Sequence, residues 1–348
     1  MLSWRDITHP QAGGAEKVTF ELLKRWSRLG VTCTWFSAGK GTEVKEGVQL
    51  VRSGGRLSVY WKAYRFLSRS HYDVVIDQVN TIPFFTPLYY KGRSVALFHQ
   101  LCEEVWFYEM GFPLNYIGYY AEKMYLSLYK HTPALTISES SKNCLRRHGI
   151  RGAFVMSLGV DSQPLAKVGV KKGDSLVYVG RLKRSKRVDD AILAMSIVCA
   201  HVPSVKLHIV GKGEEEKRLK ELVNDLHLSK NVIFHGFLPK AERNTLLKES
   251  CAILVTSVKE GWGLIVTEAN AFGTPAIVYN VDGLRDSVLN GRTGVITPKN
   301  TPASLAGSIV GLLSDDKLRK ELSENALEFA KRYKLNEEEV LNYVMGAV

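Results

Sequence analysis

The chain has 348 residues, 45% hydrophobic and 24% charged, the balance of a globular protein long enough for two domains of about 150 to 170 residues each. No apolar run approaches the roughly 18 residues of a membrane span, and the opening "MLSWRDITHP" lacks the basic and apolar regions of a secretory leader, so a cytoplasmic address is expected. The net charge of +12 calls for a polyanionic partner: nucleic acid, an anionic membrane surface or a phosphorylated ligand.

In chain order, only "MLSW" precedes the first glycine-rich loop, so the opening strand is expected to be very short, which leaves room for a true start upstream. "GGAEKVTFELLKRWSRLG" has apolar residues at helical spacing and ends at Gly30. "TCTWFS", "YDVVIDQ", "SVALFHQ" and "ALTISES" follow as strands, and "SKNCLRRHG" as a helix, an open α/β arrangement. Gly13 and Gly14 stand at the first helix start, where unpaired amides suit a diphosphate, and a plain tight turn into a helix is equally compatible. His99 closes a strand, as a ligand of the same cleft or as a structural histidine. Residues 105–129, "VWFYEMGFPLNYIGYYAEKMYLSLY", mix aromatics with a half that also carries Arg65, Arg69, Lys91 and Arg93; they fit either a membrane interface or an aromatic core helix pair. The five cysteines are far apart without a C-x-x-C pair and read as buried thiols.

"DSQPLAKVGVKKGD", 161–174, has proline, glycine and lysine without periodicity and reads as a linker. Beyond it "SLVYVG", "VKLHIVG", "NVIFHGF", "CAILVTS", "PAIVYN" and "GVIT" alternate with helical patterns, which predicts a doubly wound parallel sheet. In such sheets ligands bind beyond the carboxyl ends of the strands. "CAILVTS" therefore delivers Glu260, Gly261, Trp262, Gly263 and Leu264 to the crevice, with Glu268 about one turn inside the next helix. Helix-end amides suit a phosphate, and the two carboxylates suit the hydroxyls of a ribose and a second polyhydroxylated group. "YVGRLKRSKR" brings Gly180, Arg181 and Lys186 to the same edge, where guanidinium and ammonium neutralise a diphosphate. "NVIFHGFL" offers the backbone around Phe237 and Leu238 to a nucleobase. "HIVGKGEEE" has Glu216 where a dinucleotide fingerprint needs its third glycine, which disfavours NAD. With no D-x-D pair and no His/Cys metal spacing, no metal or other cofactor is expected.

"PQAGGAE", "LFHQ", "ISES", "SLGVD", "VGRLKRSK", "VGKGEEEKRL", "VIFHGFL", "EGWGLIVTEANAFGTPAIV" and "NGRTGVI" together resemble the retaining glycosyltransferases of family 4, also called group 1. The resemblance implies the GT-B architecture, two Rossmann-like doubly wound domains facing across a cleft. It places an acceptor-side domain at 1–165 with the helix 332–348 packed back on it, and a donor domain at 166–331. It implies that Glu268 binds the donor ribose, Glu260 contacts the donor sugar, and Arg181 and Lys186 hold the diphosphate with the amides near Gly263 and Leu264. Gly14 approaches from the first domain and His99 lies beside the transferred sugar. Leu158 departs from the asparagine common before "GVD". The implied reaction is transfer from a UDP- or GDP-linked sugar with retention, by front-face displacement under domain closure, to a sugar or lipid-linked acceptor. The aromatic stretch 105–129 and the excess positive charge add an anionic membrane on the inner face of the cell as a further expected partner. The competing readings are a nucleotide-sugar epimerase of the same architecture and a basic nucleic-acid-binding protein, the latter supported by net charge alone.

Overall fold

The structure, a computed structural model, describes residues 1–159, 163–169, 171 and 173–346, so parts of the expected linker and the last two residues lie outside the described residues. The chain forms two compact units: Met1–Glu103, Pro113–Leu158 and Leu335–Val348 in one, Glu104–Phe112 and Gly159–Lys334 in the other.

The first unit opens with Leu2, which bridges Phe36 on one side and Asp77 on the other, so the expected opening strand is reduced to a single bridging residue. Its amide donates to the Ile76 carbonyl at 2.8 Å. Helix α1 (Gly14–Arg28) follows and buries Phe20, Leu22, Leu23 and Trp26. Strand β1 (Cys33–Ser37) is wholly buried, and β2 (Gly39–Lys45) and β3 (Val48–Gly54) form a hairpin, with β3 parallel to β1. Glu46 and Gly47 make its turn with φ of +47° and +85°, the mirror-image turn that suits the twist of paired strands. Helix α2 (Ser58–Leu67) leads to β4 (Val75–Val79) and β5 (Ser94–Phe98), then to the short α3 (Val105–Glu109), which belongs to the second unit. Back in the first unit come α4 (Leu114–Leu126), β6 (Ala134–Thr136), α5 (Glu139–Arg147) and β7 (Phe154–Val155). β4 to β7 pair in parallel in chain order.

Residues 105–129 do not form a buried helix pair: α4 buries Glu122, Tyr125 and Leu126 but leaves Leu114, Tyr116, Ile117, Tyr120 and Met124 exposed. None of the five cysteines forms a disulfide among the described residues; Cys33, Cys144 and Cys251 are buried, whereas Cys102 and Cys199 are only half-buried.

The second unit carries β8 (Ser175–Val179), α6 (Val188–His201), β9 (Lys206–Val210), α7 (Glu216–Asp225), β10 (Val232–Gly236), α8 (Lys240–Glu249), β11 (Ala252–Val255), α9 (Leu264–Asn270), β12 (Ala276–Val278), α10 (Leu284–Ser287), β13 (Gly294–Ile296), α11 (Pro302–Leu313) and α12 (Asp316–Arg332). Its six strands are all parallel, in the order β10-β9-β8-β11-β12-β13. Near-continuous apolar strands such as Ala252–Val255 fit a sheet covered on both faces. The order reverses between β8 and β11, and this switch point sets the place of a ligand crevice. The last helix, α13 (Glu337–Met345), belongs to the first unit; there Trp26 Nε1 donates to the Glu337 carbonyl at 2.8 Å and Arg93 Nε to the Val344 carbonyl at 2.7 Å. Among the described residues no helix is long and apolar enough to cross a membrane.

Candidate functional site

The loop after β8 is built by backbone-to-backbone packing. Gly180 N–H donates to the Val210 carbonyl and Leu182 N–H to the Lys212 carbonyl, each at 3.0 Å. A Cβ on Gly211 would fall 1.8 Å from the Gly180 oxygen, and one on Gly213 2.1 Å from the Leu182 oxygen. The two glycines of "VGKG" therefore let neighbouring loops touch, a packing role that needs no dinucleotide. Buried Tyr178 donates its hydroxyl to the Arg181 carbonyl at 3.0 Å and pins the turn.

This loop is locked to the loop after β11. Val258 N–H donates to the Ser185 carbonyl at 2.9 Å, and Thr256 Oγ1 lies 2.9 and 2.8 Å from the Lys186 and Arg187 carbonyls. Across this junction Lys186 Nζ donates to Glu260 Oε1 at 2.6 Å, and Ser257 Oγ donates to the same oxygen at 2.7 Å. Both charged side chains are about one-fifth exposed, at 22% and 18%, so solvent screens the pair only in part. A cation and an acid thus meet at the switch point.

The other basic residues of the loop have separate duties. Lys183 pairs with Glu109 of α3 at 2.8 Å, and Ser185 N–H donates to the other Glu109 oxygen at 3.1 Å. Burial pushes the Glu109 carboxyl up, but the Lys183 and Ser185 hydrogen bonds outweigh it and hold it below the usual carboxylate range. Arg184 reaches Glu215, and Arg187 sits over the Tyr279 ring while pairing with Asp190. Arg181 is exposed, and its guanidinium has no hydrogen-bond or ion-pair partner among the described residues. Lys186 and Arg181 thus differ: the first is held by an acid, the second faces solvent.

Beyond Glu260 the chain turns through Gly261, Trp262 and Gly263, all buried, into α9. Gly263 has φ +85° at the helix cap, a conformation natural to glycine. Helix α9 has seven residues, so any pull on an anion comes from its few unpaired first-turn amides rather than a long dipole. Leu264 begins it half-buried. Gly283 makes the turn possible from the other side, because a Cβ there would fall 2.2 Å from the Glu260 oxygen. The Trp262 ring stacks on Tyr333, centroids 5.0 Å apart and planes 15° apart, so its face is already occupied. Glu268 is only 8% exposed at its side chain, and Arg243 Nη2 of α8 lies 2.9 Å from its Oε2. Phe237 is 78% exposed after β10, with Leu238 half-buried beside it.

The first unit holds the remaining candidates. Gly13 caps α1, but its N–H donates to Glu16 Oε2 at 2.7 Å, and Arg5 Nε holds the other Glu16 oxygen at 2.7 Å. That amide is spent within the unit, while Gly14 begins the helix proper. His99 follows β5, is 6% exposed, and both its ring nitrogens lack partners among the described residues. Burial lowers its pKa to about 4 against a smaller opposite pull from Glu16, so the ring is neutral at pH 7.

The structure therefore brings Lys186, Ser257, Glu260 and the Gly261–Leu264 turn together, with Glu268 of α9 paired to Arg243 of α8. Sequence reasoning missed Arg243, Ser257, Thr256, Tyr178, Gly283 and Glu109. Only the serine and threonine closing "CAILVTS" signalled themselves, as polar residues ending an apolar strand at the crevice.

Comparison with known proteins is consistent with this geometry. Residues 165–329 match the model of glycosyl transferases group 1, and residues 12–163 match that of glycosyltransferase family 4. A glycogen synthase of Mycobacterium tuberculosis is 33% identical over 170 residues, covering 48% of this chain and 41% of its own. Poly(glycerol-phosphate) alpha-glucosyltransferase of Bacillus subtilis is 30% identical over 158 residues, 45% of this chain and 23% of its own. The chain spans less than half the length of these curated relatives. Among solved structures, a sucrose-phosphate synthase from Thermosynechococcus elongatus superposes with a TM-score of 0.81 at 19% identity, over 100% of this chain and 98% of that one. The fold is thus the two-domain α/β fold of GT-B glycosyltransferases. With the two family models matching consecutive halves, the chain belongs to the group 1 glycosyltransferases.

Proposed function

We propose that the chain transfers a sugar from a nucleoside-diphosphate sugar to an acceptor with retention of anomeric configuration. The observation that carries this reading is the Lys186–Glu260 pair at the carboxyl ends of β8 and β11. Lys186 is already withdrawn from bulk water and neutralised, so an arriving diphosphate exchanges one anion for another at little extra desolvation. Glu260, released, turns to the hydroxyls of the donor sugar, and Arg181 closes on the diphosphate from solvent. Glu268, fixed by Arg243, presents its remaining oxygen to the ribose. The backbone near Phe237 and Leu238 frames the base. In the first unit, Gly14 and neutral His99 are assigned to the donor's diphosphate and sugar.

Among the described residues no carboxylate stands out as a glycosyl nucleophile. The resemblance to the family favours a bond from the acceptor oxygen to the anomeric carbon on the face from which the diphosphate leaves, with the acceptor's proton passing to a departing phosphate oxygen. Lys186 and Arg181 stabilise the charge that develops there, the task a divalent ion performs in other sites. The Anabaena HepE structure, solved with UDP-glucose, shares the fold with a TM-score of 0.78 at 16% identity, which supports a donor of this class.

A lipid-linked acceptor and a peripheral position on the inner membrane face are the reading of α4, whose Leu114, Ile117, Tyr120 and Met124 face outward with Lys123 Nζ 4.2 Å above the Tyr119 ring. Anionic vesicles then sediment the protein, and Ile117→Asp with Met124→Asp abolishes this; wild-type protein left in the supernatant would remove the membrane from the account.

The function itself is tested with UDP-, GDP- and ADP-sugars. One of them raises the melting temperature and releases nucleoside diphosphate only with acceptor present, and added magnesium or manganese does not speed release. Release without acceptor, or conversion of the donor to its epimer, would overturn the transferase reading.

A further inference from the structure

A cluster of three different metal-ligating side chains lies in the first unit, outside everything assigned above. Glu103, Cys144 and His148 place one donor atom each within 4.8 Å of one another. Cys144 Sγ is 3.1 Å from Glu103 Oε2, and His148 Nε2 is 3.0 Å from Glu103 Oε1. Cys144 lies on α5 and His148 caps its end, four residues apart and hence on one helix face. That i, i+4 placement is how a helix offers two ligands to one ion.

Glu103 comes from a separate loop that is held in an unusual conformation. Its φ is +41°, a left-handed value that costs a residue with a side chain on the order of 1 kcal/mol or more. The strain is supported by Glu122 of α4, which is 2% exposed: its two oxygens accept the Cys102 and Glu103 amides, each at 2.7 Å. One buried carboxylate therefore fixes the turn that aims another carboxylate at a thiol and an imidazole. Outer groups that orient ligands in this way are a regular part of metal sites.

We propose that Glu103, Cys144 and His148 form a binding site for one zinc ion. Thiolate sulfur, imidazole nitrogen and carboxylate oxygen together are the donor set of this borderline-soft ion, and three protein ligands leave the fourth tetrahedral position to water. As the ion enters, the Cys144 S–H bond breaks, a zinc–sulfur bond forms and the proton leaves to solvent. His148 binds through Nε2 with its remaining proton on Nδ1. The hydrogen bonds now joining the three side chains give way to bonds to the ion. The site clips the end of α5 to the loop after β5, four residues beyond His99, and so stiffens the segment that carries that histidine.

The test uses metal-stripped full-length protein titrated with zinc alone and, in parallel, with cobalt(II). Expected are one equivalent bound, a raised melting temperature, a thiolate-to-cobalt charge-transfer band in the near ultraviolet and visible bands of tetrahedral intensity. Cys144→Ser removes the charge-transfer band, and His148→Gln, at a half-buried position, removes stoichiometric binding while the protein stays folded by circular dichroism. Glu122→Gln, which touches no metal, weakens zinc about 10- to 100-fold. Absence of the charge-transfer band in the wild type, or zinc binding and stabilisation unchanged in folded His148→Gln, would overturn the proposal.

Discussion

Lys186 Nζ and Glu260 Oε1 lie 2.6 Å apart although 74 residues separate them, because parallel strands β8 and β11 end side by side where the sheet reverses its order. Removing the ammonium leaves the acid intact but takes away a donor to the leaving phosphate. Lys186→Ala and Arg181→Ala are each expected to lower kcat by roughly 10² to 10³, about 2.7 to 4 kcal/mol of transition-state stabilisation. Glu260→Gln separates binding from chemistry: free nucleoside diphosphate binds at least as tightly as to wild type, while turnover of the sugar conjugate falls. Steady-state kinetics and calorimetric titration read the two effects separately.

Arg243 and Glu268 are 13% and 8% exposed, so neither charge is well solvated without the other. Glu268→Ala is expected to cost about 3 to 5 kcal/mol of stability by leaving the guanidinium buried without its counter-charge, with only the neutral Asn244 oxygen as partner among the described residues. The double variant Arg243→Ala, Glu268→Ala should lose less than the sum of the single changes. Urea unfolding of the four proteins measures the coupling.

His99 makes stability depend on pH in a known direction. Its folded pKa of about 4 lies below the ordinary 6.5, so between these values the unfolded chain binds the extra proton. The contribution is complete above about pH 6.5 and is lost as pH falls toward 4, amounting to about 3 kcal/mol. Denaturant melts of wild type and His99→Gln at pH 7 and pH 4.5 should show a pH loss in the wild type that the variant largely lacks.

Gly283 and Gly152 test whether the loop after β11 is set by backbone contact. A methyl at Gly283 meets the Glu260 carbonyl at 2.2 Å with φ at +79°, whereas at Gly152 it meets nothing within 4 Å. Gly283→Ala should lower both melting temperature and donor affinity, and Gly152→Ala neither. Differential scanning fluorimetry with and without nucleotide sugar decides this.

The second unit was readable because its central strands bury both faces and so appear as short apolar blocks, as Ala252–Val255 and Ala276–Val278 do, between helices of clear period. The first unit was less so. Its opening strand shrinks to Leu2, its β2–β3 hairpin is signalled only by Glu46–Gly47, and α2 sits in a stretch rich in aromatics. At the site, Lys186 and Glu260 were legible because charge at the ends of apolar strands has few structural uses. Arg243 was not, because a basic residue on a polar helix such as "KAERNTLLKE" looks solvated until the fold turns it inward. Gly13 shows the opposite limit: its loop reads as an anion cradle, but Glu16, three residues on, takes the amide.

A donor diphosphate is expected to take Lys186 from Glu260. In a crystal structure with a bound nucleoside-diphosphate sugar, phosphate oxygens should lie within hydrogen-bonding reach of Lys186 Nζ and the Arg181 guanidinium, with the Glu260 carboxylate turned to a sugar hydroxyl. A diphosphate seated elsewhere, with the 2.6 Å contact between Lys186 and Glu260 unchanged, would contradict it.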